Sequence, residues 1–189
     1  MLTVYAVEKS EIYGHGKRAV IWFSGCTLRC RGCINRHLWE RSSGSEMTAR
    51  ALLQRIAEYT DITGVTLIGG EPLQQNAEEL YDFTRAVVDL GLDVVLFTGY
   101  EQSELTGTRA LIAELASVVI FGRYVEAQRD TGLLLRGSRN QSLTVRRREL
   151  MPYYAEEQRQ VEITLTDTET LFLGFPEDFI DVNVGCIPE

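Results

Sequence analysis

Three of the chain's four cysteines, Cys26, Cys30 and Cys33, fall within eight consecutive positions of a 189-residue sequence. No other feature restricts the fold and chemistry as sharply. Four cysteines are too sparse for a disulfide scaffold, and intracellular chains rarely crowd thiols in this way without a metal. The segment reads Gly25-Cys26-Thr27-Leu28-Arg29-Cys30-Arg31-Gly32-Cys33-Ile34-Asn35. Its C-x3-C-x2-C spacing lets one loop wrap a single polynuclear centre from three directions, directly after an apolar run. A structural zinc site normally closes with four ligands, and only His15, His37 and the distant Cys186 could complete one here. A cubane of four irons usually takes four thiolates, so three leave one iron open to an outside ligand, which is where chemistry can happen. Packing cysteines and half of a zinc site are the alternative readings.

Charge excludes a different set of functions. With 19 Lys+Arg against 27 Asp+Glu the formal charge is −8, which argues against a protein whose main task is coating nucleic acid. The one basic run, Arg146 to Arg148, is too short to reverse that balance. Hydrophobic residues at 44% and charged residues at 24% match soluble globular averages, so neither disorder nor a fibrous repeat is expected. No apolar stretch approaches the roughly 18 residues of a membrane span, and the N-terminus lacks the apolar middle of a signal peptide. A cytoplasmic chain with no membrane partner is the expectation.

Apolar runs rich in β-branched and aromatic residues recur at Ala19 to Phe23, Val65 to Ile68, Val94 to Phe97 and Val118 to Phe121, and they predict buried strands. Between them lie helical patterns. One places Ala49, Leu52, Leu53, Ile56 and Ala57 on a face, and the next Leu80, Phe83, Thr84, Val87 and Val88; a weaker third covers about Thr108 to Leu115. Asn76 with Glu79 reads as an N-cap and its capping partner, and Gly91 as a left-handed C-cap. Alternating strands and helices imply βαβ units, hence an α/β fold with a parallel sheet. Four strands suit an open or partial barrel better than a closed eight-fold one, which needs about 250 residues. Val161 to Leu165 and Leu171 to Leu173 alternate like a hairpin around Asp167-Thr168-Glu169. The chain therefore reads as a single domain over 1–189, with a core near 10–145 and a short C-terminal β appendage over 146–189.

The cysteine spacing is also the cluster motif of the radical S-adenosylmethionine (SAM) superfamily. Gly69-Gly70-Glu71-Pro72, just after the strand Val65 to Ile68, resembles that superfamily's SAM amino-group motif. Gly16 to Trp39, Val94 to Leu105 and Gly122 to Leu143 are similar, in the expected order, to segments of the activating enzymes of anaerobic ribonucleotide reductase. The resemblance extends to small single-cluster radical SAM proteins related to them. It implies a partial parallel β/α barrel in which Cys26, Cys30 and Cys33 hold a [4Fe-4S] cluster whose open iron is chelated by SAM. One-electron reduction would cleave SAM to methionine and a 5′-deoxyadenosyl radical that abstracts hydrogen from a glycyl-radical protein such as the reductase. Flavodoxin or ferredoxin is the implied electron donor. A radical SAM enzyme acting on a peptide or small molecule of a biosynthetic pathway is the second reading, and a binding module without turnover the third.

The resemblance assigns cofactor contacts to Gly32, Ile34, Gly69, Gly70, Glu71, Pro72 and Thr98. Physical roles run beside these: the glycines allow a backbone to approach a ligand closely, Pro72 stiffens the turn, and Glu71 offers a negative charge or a carbonyl near the SAM ammonium. Thr98-Gly99-Tyr100 ends the next strand on the same rim. Arg136, Ser138, Asn140 and Gln141 match a polar segment of the activases and are candidate substrate contacts. Phe121 stands where those activases often carry Asp before the glycine, which weakens any substrate contact at that position. Asn35 suits local backbone bonding, His37 and Trp39 suit loop positions, and Cys186 reads as an incidental thiol.

Overall fold

Every expected strand forms, and three more form beside them. The computed structural model of the chain describes residues 1–155, 161–165 and 170–174. Its main sheet contains β1 (Leu2–Ser10), β2 (Arg18–Phe23), β3 (Ser45–Met47), β4 (Gly64–Gly69), β5 (Asp93–Phe97), β6 (Val118–Phe121) and β7 (Ser142–Val145), in the spatial order β3-β1-β2-β4-β5-β6-β7. The central β2, β4, β5 and β6 are mutually parallel. The flanking β1, β3 and β7 run antiparallel to their neighbours. This is an open, parallel-rich α/β sheet with β3 and β7 at its edges, and it does not close on itself.

The unannounced β1 escapes a period-two search for a local reason. Its pairing with β2 slips between Val4 and Ala6, so Val4 faces Phe23 while Ala6 faces Trp22. One extra residue in the strand shifts every later side chain to the other face.

Three helices return the chain between parallel strands: α1 (Ala49–Ile56), α2 (Ala77–Asp89) and α3 (Gly107–Leu115). All three cover the same face. Leu52, Ile56, Leu80, Phe83, Val87 and Ile112 from the helices pack with Ile21, Leu67, Leu96 and Val119 from the strands in one core. Because strand side chains alternate faces, the next residue of each strand points the opposite way: Trp22 pairs across with Ile68, and Phe97 with Ile120. That second face carries the cavity described below, with Leu150 and Tyr154 of the following segment, which ends in the short α4 (Met151–Tyr154), packed beside it.

The helix ends follow the sequence with one exception. Thr48 accepts a hydrogen bond from the Ala51 amide and Asn76 one from the Glu79 amide, satisfying first-turn donors. Gly91, at φ 81°, closes α2, with its amide bonded to the Val88 carbonyl and that of Leu92 to the Val87 carbonyl, the paired bonds of a left-handed cap. Glu79 does not close a reciprocal box. Its carboxylate instead accepts from the Ala49 amide at 2.7 Å and so joins the start of α1 to the start of α2.

At the opposite end of the sheet the fully buried Arg18 faces Asp93, Nη2 to Oδ1 2.5 Å. Its guanidinium also donates to Thr66 Oγ1 and to the carbonyls of Val65 and His15. The guanidinium is thus hydrogen-bonded on several sides, while Asp93 Oδ1 meets it as an ion-pair contact alone.

Beyond the sheet, β8 (Val161–Leu165) and β9 (Thr170–Gly174) form the expected antiparallel pair, Val161 opposite Gly174 and Leu165 opposite Thr170. The turn Asp167-Thr168-Glu169 and Cys186 lie outside the described residues.

Candidate active site at the ends of the parallel strands

The cysteine loop leaves β2 at Phe23 and is pinned shut at its base. The Gly25 amide donates to the Leu38 carbonyl at 2.8 Å and the Cys26 amide to the Trp39 carbonyl at 2.9 Å. Gly25 and Gly32 take positive φ, and so does Arg29 at 46°, the turns needed to bring three thiols to one side. Cys26, Cys30 and Cys33 are all free and half-buried. Burial pushes the Cys26 and Cys30 thiols up; backbone amides of Leu28 and Arg29 at Cys26, and of Tyr124 at Cys30, pull them back. Amide donors aimed at sulfur stabilise a thiolate once iron neutralises it. Among the described residues no three His, Cys, Asp or Glu side chains gather as a single-ion site.

The Gly-Gly-Glu-Pro turn holds this loop from the other side. Gly70 donates to the Phe23 carbonyl at 2.7 Å and Glu71 to the Gly25 carbonyl at 3.0 Å. A Cβ on Gly69 would lie 2.6 Å from the Phe23 nitrogen and oxygen, and one on Gly70 2.7 Å from the Gly25 oxygen. The close approach that these glycines permit is therefore to the exit of β2, in addition to any ligand. Asn35 reaches across to the Gly69 carbonyl at 3.4 Å, a bond far from local in sequence.

Glu71 is buried, and its carboxylate accepts from the Leu73 amide, the Thr98 hydroxyl and the Gly99 amide. Burial pushes it up to about 7 against those three donors. The carboxylate thus ties the end of β4 to the end of β5. Pro72 opens a 3-10 turn, Pro72–Gln74, buried behind the rim.

Two residues that sequence reasoning passed over complete the frame. Gln74 accepts from the Thr27 amide and donates to the hydroxyls of Thr27 and Tyr100. The buried Gln75 accepts from the Thr3 amide and donates to the Ser24 carbonyl. Their one signal in the sequence is adjacency to Gly-Gly-Glu-Pro. Tyr100 is held in turn between Arg109 and Arg123, whose guanidinium carbons stand 5.4 and 5.8 Å from its ring centroid.

These elements border one cavity of about 890 Å³. All three cysteines, Gly32, Ile34, Gly69, Gly70, Glu71 and Thr98 are on its wall, and Trp22, Ile68, Phe97 and Ile120 form its floor. Its position outside the carboxyl ends of parallel strands is where α/β sheets bind ligands.

A family model described as a 4Fe-4S single cluster domain matches residues 12–144. The chain belongs to the 4Fe-4S single cluster domain family. Its curated relatives include the anaerobic ribonucleoside-triphosphate reductase-activating protein of Salmonella typhimurium, 31% identical over 137 residues, which are 69% of this chain and 89% of that one. The protein of the same name from Haemophilus influenzae is 34% identical over 69% of this chain and 88% of its own; that of Enterobacteria phage T4 is 34% identical over 70% and 86%. Among solved structures, QueE from Escherichia coli aligns with a TM-score of 0.43 at 19% identity over 52% of each chain, too slight a likeness to bear on the reading. As a member of this family, the chain has a [4Fe-4S] cluster as its cofactor.

The polar segment after β6 binds its own backbone. Gln141 accepts from the amides of Gly137 and Ser138 and donates to the Gly122 carbonyl. Asn140 donates to the Arg123 carbonyl, and the fully buried Ser138 hydroxyl accepts from the Val125 amide and donates to Asn140. These side chains staple the 122–141 loop to itself. Of the four candidates only Gln141 borders the cavity; Arg136, Ser138 and Asn140 do not. His37 is exposed on the rim, edge-on to Tyr5. Trp39 lies under Arg29 and Arg36. No described helix is long and apolar enough to cross a membrane.

Proposed function

We propose that the chain is a radical SAM activase that generates a glycyl radical on a partner protein, an anaerobic ribonucleotide reductase. The observation that carries this reading is the convergence of Cys26, Cys30 and Cys33 with Gly69, Gly70 and Thr98 on one cavity, in a chain that aligns with most of the length of reductase-activating relatives. Cys26, Cys30 and Cys33 would hold the cluster, and the cavity-lining edges of Gly69, Gly70 and Thr98 would seat SAM, with Gly32 and Ile34 bordering it. The bound cofactors supply a 5′-deoxyadenosyl radical that abstracts hydrogen from carbon.

The chain's own residues do the positioning. The Gly25–Leu38 and Cys26–Trp39 backbone bonds fix the thiols, and the Glu71 carboxylate fixes the SAM rim. The apolar floor keeps water from the radical. With helices on one face and the cavity on the other, the sheet corresponds to a segment of a barrel whose open side admits a protein loop. A low-potential donor such as flavodoxin or ferredoxin would deliver the electron.

The test is anaerobic incubation of the reduced, iron-loaded chain with SAM and the reductase of the same organism. The expected result is 5′-deoxyadenosine together with a glycyl doublet in the electron paramagnetic resonance spectrum. SAM cleavage without a doublet would instead favour a peptide or small-molecule substrate.

A further inference from the structure

Besides the cysteines, the cavity wall is built mainly of apolar side chains, with Glu8, Arg129, Thr131 and Gln141 among the polar ones. Trp22 and Phe97 rise from the sheet, Tyr13 comes from the β1–β2 connection, Leu134 from the 122–141 loop and Leu173 from β9. Leu134 and Leu173 are buried yet belong to neither hydrophobic core of the described residues; both line the cavity. Tyr13 stands edge-on to Trp22, 5.3 Å between centroids, and to Phe97, 6.4 Å, so three rings hold one shape.

The last wall is fastened in place by the hairpin. The Tyr13 hydroxyl accepts from the Gly174 amide at 3.2 Å. Glu162 accepts from the Ser10 hydroxyl at 2.5 Å and from the Glu11 amide at 3.2 Å. Both strands of this hairpin lie outside residues 12–144, the part that matches the family model.

A polar metabolite placed against these rings and leucines would give up more water than it regains in hydrogen bonds. An apolar group gains from the same burial. At about 890 Å³ the cavity is near the upper end of the 300–1,000 Å³ usual for one small ligand, which leaves room beside a cofactor. The apolar wall also runs outward to Tyr5 and Ile34, 51% and 52% exposed on the rim, a continuous path of the kind that marks contact with another protein.

Resting on the activase reading, we propose that this compartment receives a bulky apolar side chain of the substrate polypeptide, adjacent in sequence to the residue that loses hydrogen, and that Leu173 on the β8–β9 hairpin sets the preference. Calorimetric titration of the full chain with N-acetylglycyl-phenylalaninamide and N-acetylglycyl-serinamide tests it. The phenylalanine peptide should bind at least about tenfold more tightly and with a more negative heat-capacity change. Leu173→Glu should remove the preference. Leu173→Ala, which leaves the Glu162 and Gly174 contacts in place, should reduce it about threefold and serves if the glutamate variant does not fold. Equal affinity for the two peptides, binding of neither, or a preference untouched in the folded Leu173 variants overturns the proposal. A preference found in a chain that forms no glycyl radical would sustain the compartment and remove the activase reading; a glycyl radical with no preference would do the reverse.

Discussion

The Gly99 amide donates to the Glu71 carboxylate at 2.7 Å, joining two loops that are 28 residues apart in sequence. Glu71→Gln sets an amide of the new side chain against either that N–H or the donors from Leu73 and Thr98. An unmatched buried donor costs about 1–3 kcal/mol, so thermal unfolding of the variant should show a loss of that order. A variant as stable as the parent would mean the three bonds do not hold the rim.

The same carboxylate makes stability depend on pH. Burial raises it from the ordinary 4.5 to about 7, so between those values the folded chain keeps a proton that the unfolded chain releases. Its contribution is full below about pH 4.5 and is lost as pH rises through about 7, at most about 3 kcal/mol. Melting of protein prepared without the cluster, compared at pH 5, 6, 7 and 8, should show this decline in the parent and a shallower one in Glu71→Gln.

Arg18→Met should cost about 3–5 kcal/mol, because it strands the buried Asp93 carboxylate without its counter-charge. The double substitution Arg18→Met with Asp93→Leu should recover much of that loss in denaturant titrations. Equal losses in the single and double variants would show that packing, not charge, dominates this corner.

Gly70→Ala should damage the cysteine loop without touching a cysteine. Its Cβ meets the Gly25 backbone at 2.7 Å, and backbone has no rotamer with which to retreat, so strain on the order of 1–3 kcal/mol is expected. Iron content after reconstitution should fall with it. Full iron loading in this variant would show that the loop is more pliant than its bonds imply.

Replacing Cys26, Cys30 or Cys33 singly with alanine should remove most of the visible absorption and bound iron of the reconstituted chain, because three thiolates are already one short of a full cluster set. Cys186→Ser should leave both unchanged.

The parallel strands were legible because a strand buried on both faces reads as an unbroken β-branched run, as in Val94 to Phe97 and Val118 to Phe121. β1 was not, since the slip at Val4 and Ala6 breaks its alternation. The gathering of Cys26, Cys30 and Cys33 on one cavity wall was legible because it resides in their spacing. The reason for Gly69 and Gly70 was only half legible: a glycine pair announces a close approach, but that the neighbour is the exit of β2 depends on which strands become adjacent. The Ser138, Asn140 and Gln141 staple was not legible for a related reason, as polar side chains that satisfy their own backbone look in sequence like side chains waiting for a ligand.

The backbone bonds from Gly25 to Leu38 and from Cys26 to Trp39 join the two ends of the cysteine loop through main-chain atoms alone. Most of the entropy of ordering that loop is then spent during folding and not at the moment iron arrives. Cofactor capture should accordingly depend little on the identity of the loop's exposed side chains, which leaves Arg31 and Arg36 free to vary with whatever protein approaches that surface.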